Sequence, residues 1–217
     1  MSIRQAPRVV AAFAVSLVAS TSAAVPRDYE VKTPSSRVTV HVYRAGVLSG
    51  LGHDHLFSAQ RFGGSIRADG SAPEHTRVQL RVAADSLEDG EPGLSASDRA
   101  KVNQQTRDQV LEARRYPSID FVGDHLVLDA TGAAAGPGAD ARVMRGILLG
   151  TLTLHGRLKA VRIPFRATVG PDGVVATGEV RLNLRDFGIK APSAGLGTVK
   201  VKDVVVVRFE LHAAPGR

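Results

Sequence analysis

The chain has 217 residues, a formal net charge of +7, no cysteine and no tryptophan. That length supports one sizeable domain, and its core has to hold without disulfides. The positive charge invites anionic partners, but no basic cluster interleaves with stacking aromatics, so nucleic-acid binding is not expected.

Residues 1–24 have the pattern of a cleavable secretory leader. Arg4 and Arg8 precede an apolar run, Val9 to Ala19, and Ser22-Ala23-Ala24 fits a small-residue cleavage site. The run is too short to span a bilayer, and no cysteine stands at the cut to take a lipid. A periplasmic or secreted protein of residues 25–217 is expected. Loss of Arg4 and Arg8 lowers the charge by two, to +5. Transient contact with anionic lipid headgroups stays open, and the oligomeric state is not set by the sequence.

The mature chain is dominated by period-two alternation, the mark of half-buried strands. Arg37–Arg44 sets Val38, Val40 and Val42 against Thr39, His41 and Tyr43. Phe62–Ala68 is a glycine-rich second strand, and Arg77–Ala83 sets Val78, Leu80 and Val82 against Arg77, Gln79 and Arg81. Asp89–Ser95 is expected to be a mobile loop. Asp98–Arg114 does not alternate; it is free of glycine and proline, Ser97 can cap it, and Pro117 follows it, so it predicts one short helix. Its apolar stripe of Val102, Thr106, Val110 and Ala113 is thin, which suits a helix lying across the end of a barrel.

Alternation resumes at Ser118–Leu128, with Ile119 and Phe121 inward, and an alanine- and glycine-rich loop follows at Thr131–Asp140. Three strands come from Met144–Val169 and Gly178–Lys190. In these, Leu148, Leu152 and Leu154, then Val161, Ile163, Phe165, Ala167 and Val169, then Val180, Leu182 and Leu184 share the apolar face. The opposite face is rich in arginine. His155-Gly156 and Pro171-Asp172-Gly173 are the turns. Thr198–His212 is the last strand, with Val205, Val207, Phe209 and Leu211 inward. The sum is about eight antiparallel strands with one apolar face: an all-β barrel or sandwich. Closure into a barrel removes the exposed edges. Aromatic residues make up only 5% of the chain, and so small a lining favours a barrel with room inside.

Several short motifs in fixed order carry a resemblance. Gly150–Gly156 (GTLTLHG) followed by Val161–Phe165 (VRIPF), Tyr116–Phe121 (YPSIDF), Asp186–Lys190 (DFGIK) and Ser86-Leu87 are similar to landmarks of the YceI-like family. They extend over roughly Arg37 to His212. The resemblance implies an extended eight-stranded antiparallel barrel of lipocalin-like shape in an exported protein. It also implies an apolar elongated ligand, such as a polyisoprenoid, an isoprenoid quinone or another lipid, and no catalytic residues. No cofactor is expected beyond such a ligand. Val40, Phe57, Phe121, Leu152, Leu154, Ile163, Phe165, Leu182, Leu184 and Phe187 are the expected lining, with Phe187 plugging one end and Gly188 allowing the turn beside it.

The chain departs from that family at Gly50–Phe57 (GLGHDHLF), where a glycine and an aromatic often stand. In extended chain His53 and His55 project to one side. Three readings stay open: Asp54 and the histidines stabilise a turn, His53 and His55 contact a polar headgroup at the barrel mouth, or His53, Asp54 and His55 are the centre of a metal-binding protein or metal-assisted enzyme. Asp186-Phe187-Gly188 matches a kinase metal motif in letters alone, without the loops that give it meaning. No Gly-x-Ser-x-Gly elbow and no phosphate loop is present.

Overall fold

The computed structural model describes residues 26–45, 54–69, 72–129, 134–136, 141–190, 193–194 and 199–216. The strands are β1 (Arg27–Val31), β2 (Arg37–Ala45), β3 (His55–Ala59), β4 (Phe62–Ala68), β5 (Arg77–Ala83), β6 (Leu87–Asp89), β7 (Ser118–Leu128), β8 (Ala134–Ala135), β9 (Arg142–Leu154), β10 (Arg157–Gly170), β11 (Gly173–Asn183), β12 (Ser193–Ala194) and β13 (Val199–Pro215), with helix α1 at Ala96–Gln105. Every pairing is antiparallel. The ring closes where β13 meets β2 along one half and β1 along the other.

The number of staves is eight, as the alternation predicts, but three of them are bent. β1 and β2 form one stave, β3 and β4 the next, β5 and β6 the third, followed by β7, β9, β10, β11 and β13. The sequence reading missed β1, β3 and β6 because each bend interrupts the period-two signal within a few residues. The short 3-10 turns Thr33–Ser35 and Ala84–Ser86 make two of the bends, and Gln60-Arg61 the other.

The bends lie side by side and are stitched by hydroxyls. Thr33 Oγ1 donates to the Phe62 carbonyl at 2.7 Å, and Ser36 Oγ accepts from the His212 amide at 2.9 Å. Buried Ser86 accepts from the Arg61 amide at 3.1 Å and donates to the Ala83 carbonyl at 2.7 Å. A bend removes ladder partners, and an orphaned buried amide is costly, so these hydroxyls do the work of the missing strand. Ser86→Ala is expected to lower unfolding free energy by about 1–2 kcal/mol in a urea titration.

The helical segment differs from expectation in start and end. Ser95, not Ser97, caps α1, its Oγ accepting from the Asp98 amide at 3.1 Å. Ser95 adopts the extended backbone that a cap needs, whereas Ser97 is already inside the first turn. After Gln105 the chain widens into a π turn, Thr106–Val110, and reverses at Glu112, where φ is +46°. Leu111 and Ala113 are buried beyond the helix, while no residue of α1 itself is buried. The segment predicted as a mobile loop starts with a strand residue, Asp89, and is tied down. The Arg99 guanidinium donates to the carbonyls of Asp89 at 2.6 Å and Glu91 at 2.8 Å. The glycine-rich Thr131–Asp140 loop falls mostly outside the described residues, as does the 1–24 leader.

The two hairpin turns form where predicted. His155 (φ 51°) and Gly156 (φ 70°) link β9 to β10, the two left-handed residues that match the twist of a tight hairpin. The Tyr116 ring lies against this turn, 4.3 Å from the His155 ring. A Cβ on Gly156 would meet Tyr116 Cε1 at 2.6 Å, so glycine is required there twice over.

Candidate functional site

The inward faces enclose an elongated cavity of about 220 Å³. It runs from Leu111, Leu154 and Leu184 near the helix to Thr76, Met144 and Val174 at the far end. Among its lining residues Thr76 alone has a polar side chain. Alternation explains this directly: residues opposite each other on neighbouring staves face the same way, so one apolar set per strand becomes a continuous wall.

Eight of the ten residues proposed from sequence stand on that wall: Val40, Phe121, Leu152, Leu154, Ile163, Phe165, Leu182 and Leu184. The other two do not. Phe57 is buried on the inner face of β3 opposite Val40, with its ring 6.0 Å from that of His55, but it does not line the cavity. Phe187, only 2% exposed, closes the helix end of the core at the turn Leu184–Phe187, with Gly188 at φ 74° beside it. Ile66, Val78, Leu80, Val205, Val207, Phe209 and Leu211 also line the cavity. Most of these were visible as inward positions in the alternation. Thr76 and Met144 were not, because they sit at strand margins where the pattern fades.

The helix end of the barrel holds a polar cluster on its inner side. His55 shares a face with Phe57 and Ala59 and reaches Asp89, with Nδ1 to Oδ2 at 2.6 Å. The Asp89 carboxylate is fully buried and also accepts from the Glu91 amide at 2.9 Å. The Asn103 side chain of α1 accepts from the Asp89 amide at 2.8 Å, which fastens the helix over this end. At the start of α1, the Ser95 hydroxyl and the Lys101 ammonium hold the Asp98 carboxyl below the usual carboxylate range. Asp54 points elsewhere: its Oδ1 accepts from the Arg44 amide at 2.9 Å, across the β2–β3 connection. His53 lies outside the described residues. Asp54 and His55 are thus directed to different partners. No group of three or more metal-ligating side chains is found among the described residues.

Asp89 is the keystone of this cluster. Asp89→Ala leaves the His55 ring and the Glu91 amide without their partner in a buried place. It is expected to cost about 2–3 kcal/mol in chemical denaturation, with Asn recovering part of the loss.

A single meander of eight antiparallel staves around an apolar cavity, with a helix across one end, is a lipocalin-like barrel. Residues 29–213 match the YceI-like domain, and the chain belongs to the YceI-like family. Two solved structures share the fold. One is Burkholderia cenocepacia BcnA, at 17% identity and TM-score 0.61, covering 85% of this chain and 99% of that one. The other is a polyisoprenoid-binding domain from Saccharophagus degradans implicated in plant cell wall breakdown, at 15% identity and TM-score 0.62, covering 87% of this chain and 98% of that one. The search of curated proteins found no match.

Proposed function

We propose that this is an exported binding protein that holds an elongated apolar molecule, a polyisoprenoid, isoprenoid quinone or similar lipid, inside the barrel. The observation that carries the reading is the lining. Water inside needs two to four polar partners, and the wall offers it Thr76. The cavity exceeds the roughly 150 Å³ engineered cavity that stays dry and takes up benzene. An apolar tail is the occupant such a wall favours, at on the order of 0.8 kcal/mol per buried methylene. Selectivity along the tail is then loose, because hydrophobic burial has no direction. Binding fits a wall whose described lining is apolar apart from Thr76. The polyisoprenoid-binding neighbour and the family point to the same class of ligand. The leader-like residues 1–24 support export to the periplasm or beyond.

Native mass spectrometry of protein purified from cells, followed by solvent extraction, tests the proposal. A bound lipid at near-equal stoichiometry is the expected result. A barrel that is lipid-free and takes up no polyprenyl quinone from detergent would overturn it.

A further inference from the structure

The barrel wall is not zipped evenly. β10 pairs with β9 along its whole length, from Arg157 to Val169, but pairs with β11 only from Phe165 to Gly170. Between Arg157 and Pro164, β10 has no strand partner on its second side among the described residues. Pro164 has no amide hydrogen to offer there, and β11 beyond Gly178 continues along β13 alone. The seam opens at the helix end of the barrel, beside cavity residues Val161, Ile163, Val180 and Leu182.

Two cations stand on the inner face of this lip. Arg157 lies opposite Leu154 and Lys159 opposite Leu152. Both leucines face the cavity, so Arg157 and Lys159 occupy inward positions, yet both are exposed. They are reached by solvent because β11 has parted from β10. The Arg157 guanidinium lies over Gly188, where a Cβ would approach it to 2.7 Å. On the outer face between them Leu158 is 68% exposed.

The β9–β10 hairpin is cationic along its whole length, with Arg157, Lys159 and Arg162 beside the seam and Arg142, Arg145 and Arg166 toward the far end. Residues 142–170 contain six cations (Arg142, Arg145, Arg157, Lys159, Arg162 and Arg166) and no Asp or Glu. This hairpin carries +6, leaving a sum of only +1 for the rest of the chain's +7. Arg145 and Arg166 sit directly opposite each other, a like-charge pairing that disfavours the sheet unless an anion lies over it. None of the six makes a side-chain ion pair among the described residues.

We propose that the β9–β10 hairpin and the seam behind it dock on an anionic lipid bilayer. The exposed leucine flanked by cations suits the bilayer interface, with the alkyl group sinking in and the charges meeting headgroups. The open seam then faces the membrane and connects its acyl region with the cavity. The docking surface stands on its own charges; only the use of the seam as a lipid route rests on the tunnel reading above.

Flotation of the full chain with phosphatidylcholine vesicles, with or without about one-third phosphatidylglycerol, provides the test. Binding to the anionic vesicles alone is expected, and ~0.5 M NaCl should release it by screening. Lys159→Glu with Arg162→Glu is expected to weaken binding on the order of a hundredfold, from lost attraction and added repulsion. Arg27→Glu with Arg77→Glu makes the same charge change at the opposite end and should cost far less. Equal losses in the two pairs, equal binding to neutral vesicles, or no binding at all would overturn the proposal. So would sedimentation showing that the Lys159 and Arg162 pair instead breaks a dimer formed through the open edge. Lipid content measured on the same samples separates the two readings. A lipid-loaded barrel that ignores anionic vesicles sinks the docking surface alone, and a docking barrel that never holds lipid sinks the tunnel alone.

Discussion

Replacing Val207 with tryptophan should empty the barrel of lipid without unfolding it. Val207 faces the cavity from β13, between Val180 on β11 and Val40 on β2. An indole there occupies the volume that a ligand tail would fill. Excluding about four methylenes removes roughly 3 kcal/mol of burial, more than a hundredfold in affinity. The added contacts fill a cavity rather than overpack a solid core, so the melting temperature should hold or rise. Mass spectrometry of solvent extracts reads the first effect and a thermal melt the second. Full lipid stoichiometry in the variant would place the ligand somewhere other than the tunnel.

Phe187→Ala is expected to cause the largest loss of stability from a single substitution, about 3–5 kcal/mol in a guanidinium titration. Phe187 is 2% exposed and packs in the main core cluster with Leu184 and Ile189. Its backbone is held in place on both sides. Asn183 Oδ1 accepts from the Arg185 amide at 3.1 Å, and Gly188 donates its amide to the Arg185 carbonyl at 2.9 Å. The turn therefore cannot easily collapse into the space that the ring leaves, which puts the cost at the upper end for a phenylalanine. A loss under 1 kcal/mol would show that the ring is a surface flap rather than a plug. Val207→Trp and Phe187→Ala also separate two meanings of the apolar interior. The first removes room for a ligand, and the second removes the plug that closes the helix end of the core.

The middle of the barrel was legible because the side-chain period of a strand is two and a buried face punishes any slip of register. Val161, Ile163 and Phe165 could be assigned inward from spacing alone, and all three line the cavity. Legibility failed where the period is interrupted. β6 is only three residues long, and its Asp89 is a buried carboxylate, which no hydropathy pattern marks as inward. The partner of His55 was hidden for the same reason. His53 and Asp54 are neighbours in sequence, but Asp89 is the one that crosses from an adjacent stave to meet the ring. The helix cap was misplaced by two residues because Ser95 and Ser97 are chemically equivalent, and only backbone geometry separates them.

By itself the sequence determined about eight antiparallel strands with one apolar face, their hairpin turns and a helix, since these follow from local periodicity and turn chemistry, while the closed barrel was what the resemblance to the YceI-like family implied. Only the tertiary structure decided how the ring closes, which staves bend, and where Asp89 meets His55. It also decided that β10 and β11 pair only from Phe165–Gly178 to Gly170–Gly173, leaving 157–164 of β10 apart from β11. Lys159 illustrates the difference. Alternation puts it on the inner face, where an ammonium without a partner would be prohibitively costly. The parting of two neighbouring strands gives it access to water, and pairing between strands distant in sequence is not written in either strand's own pattern.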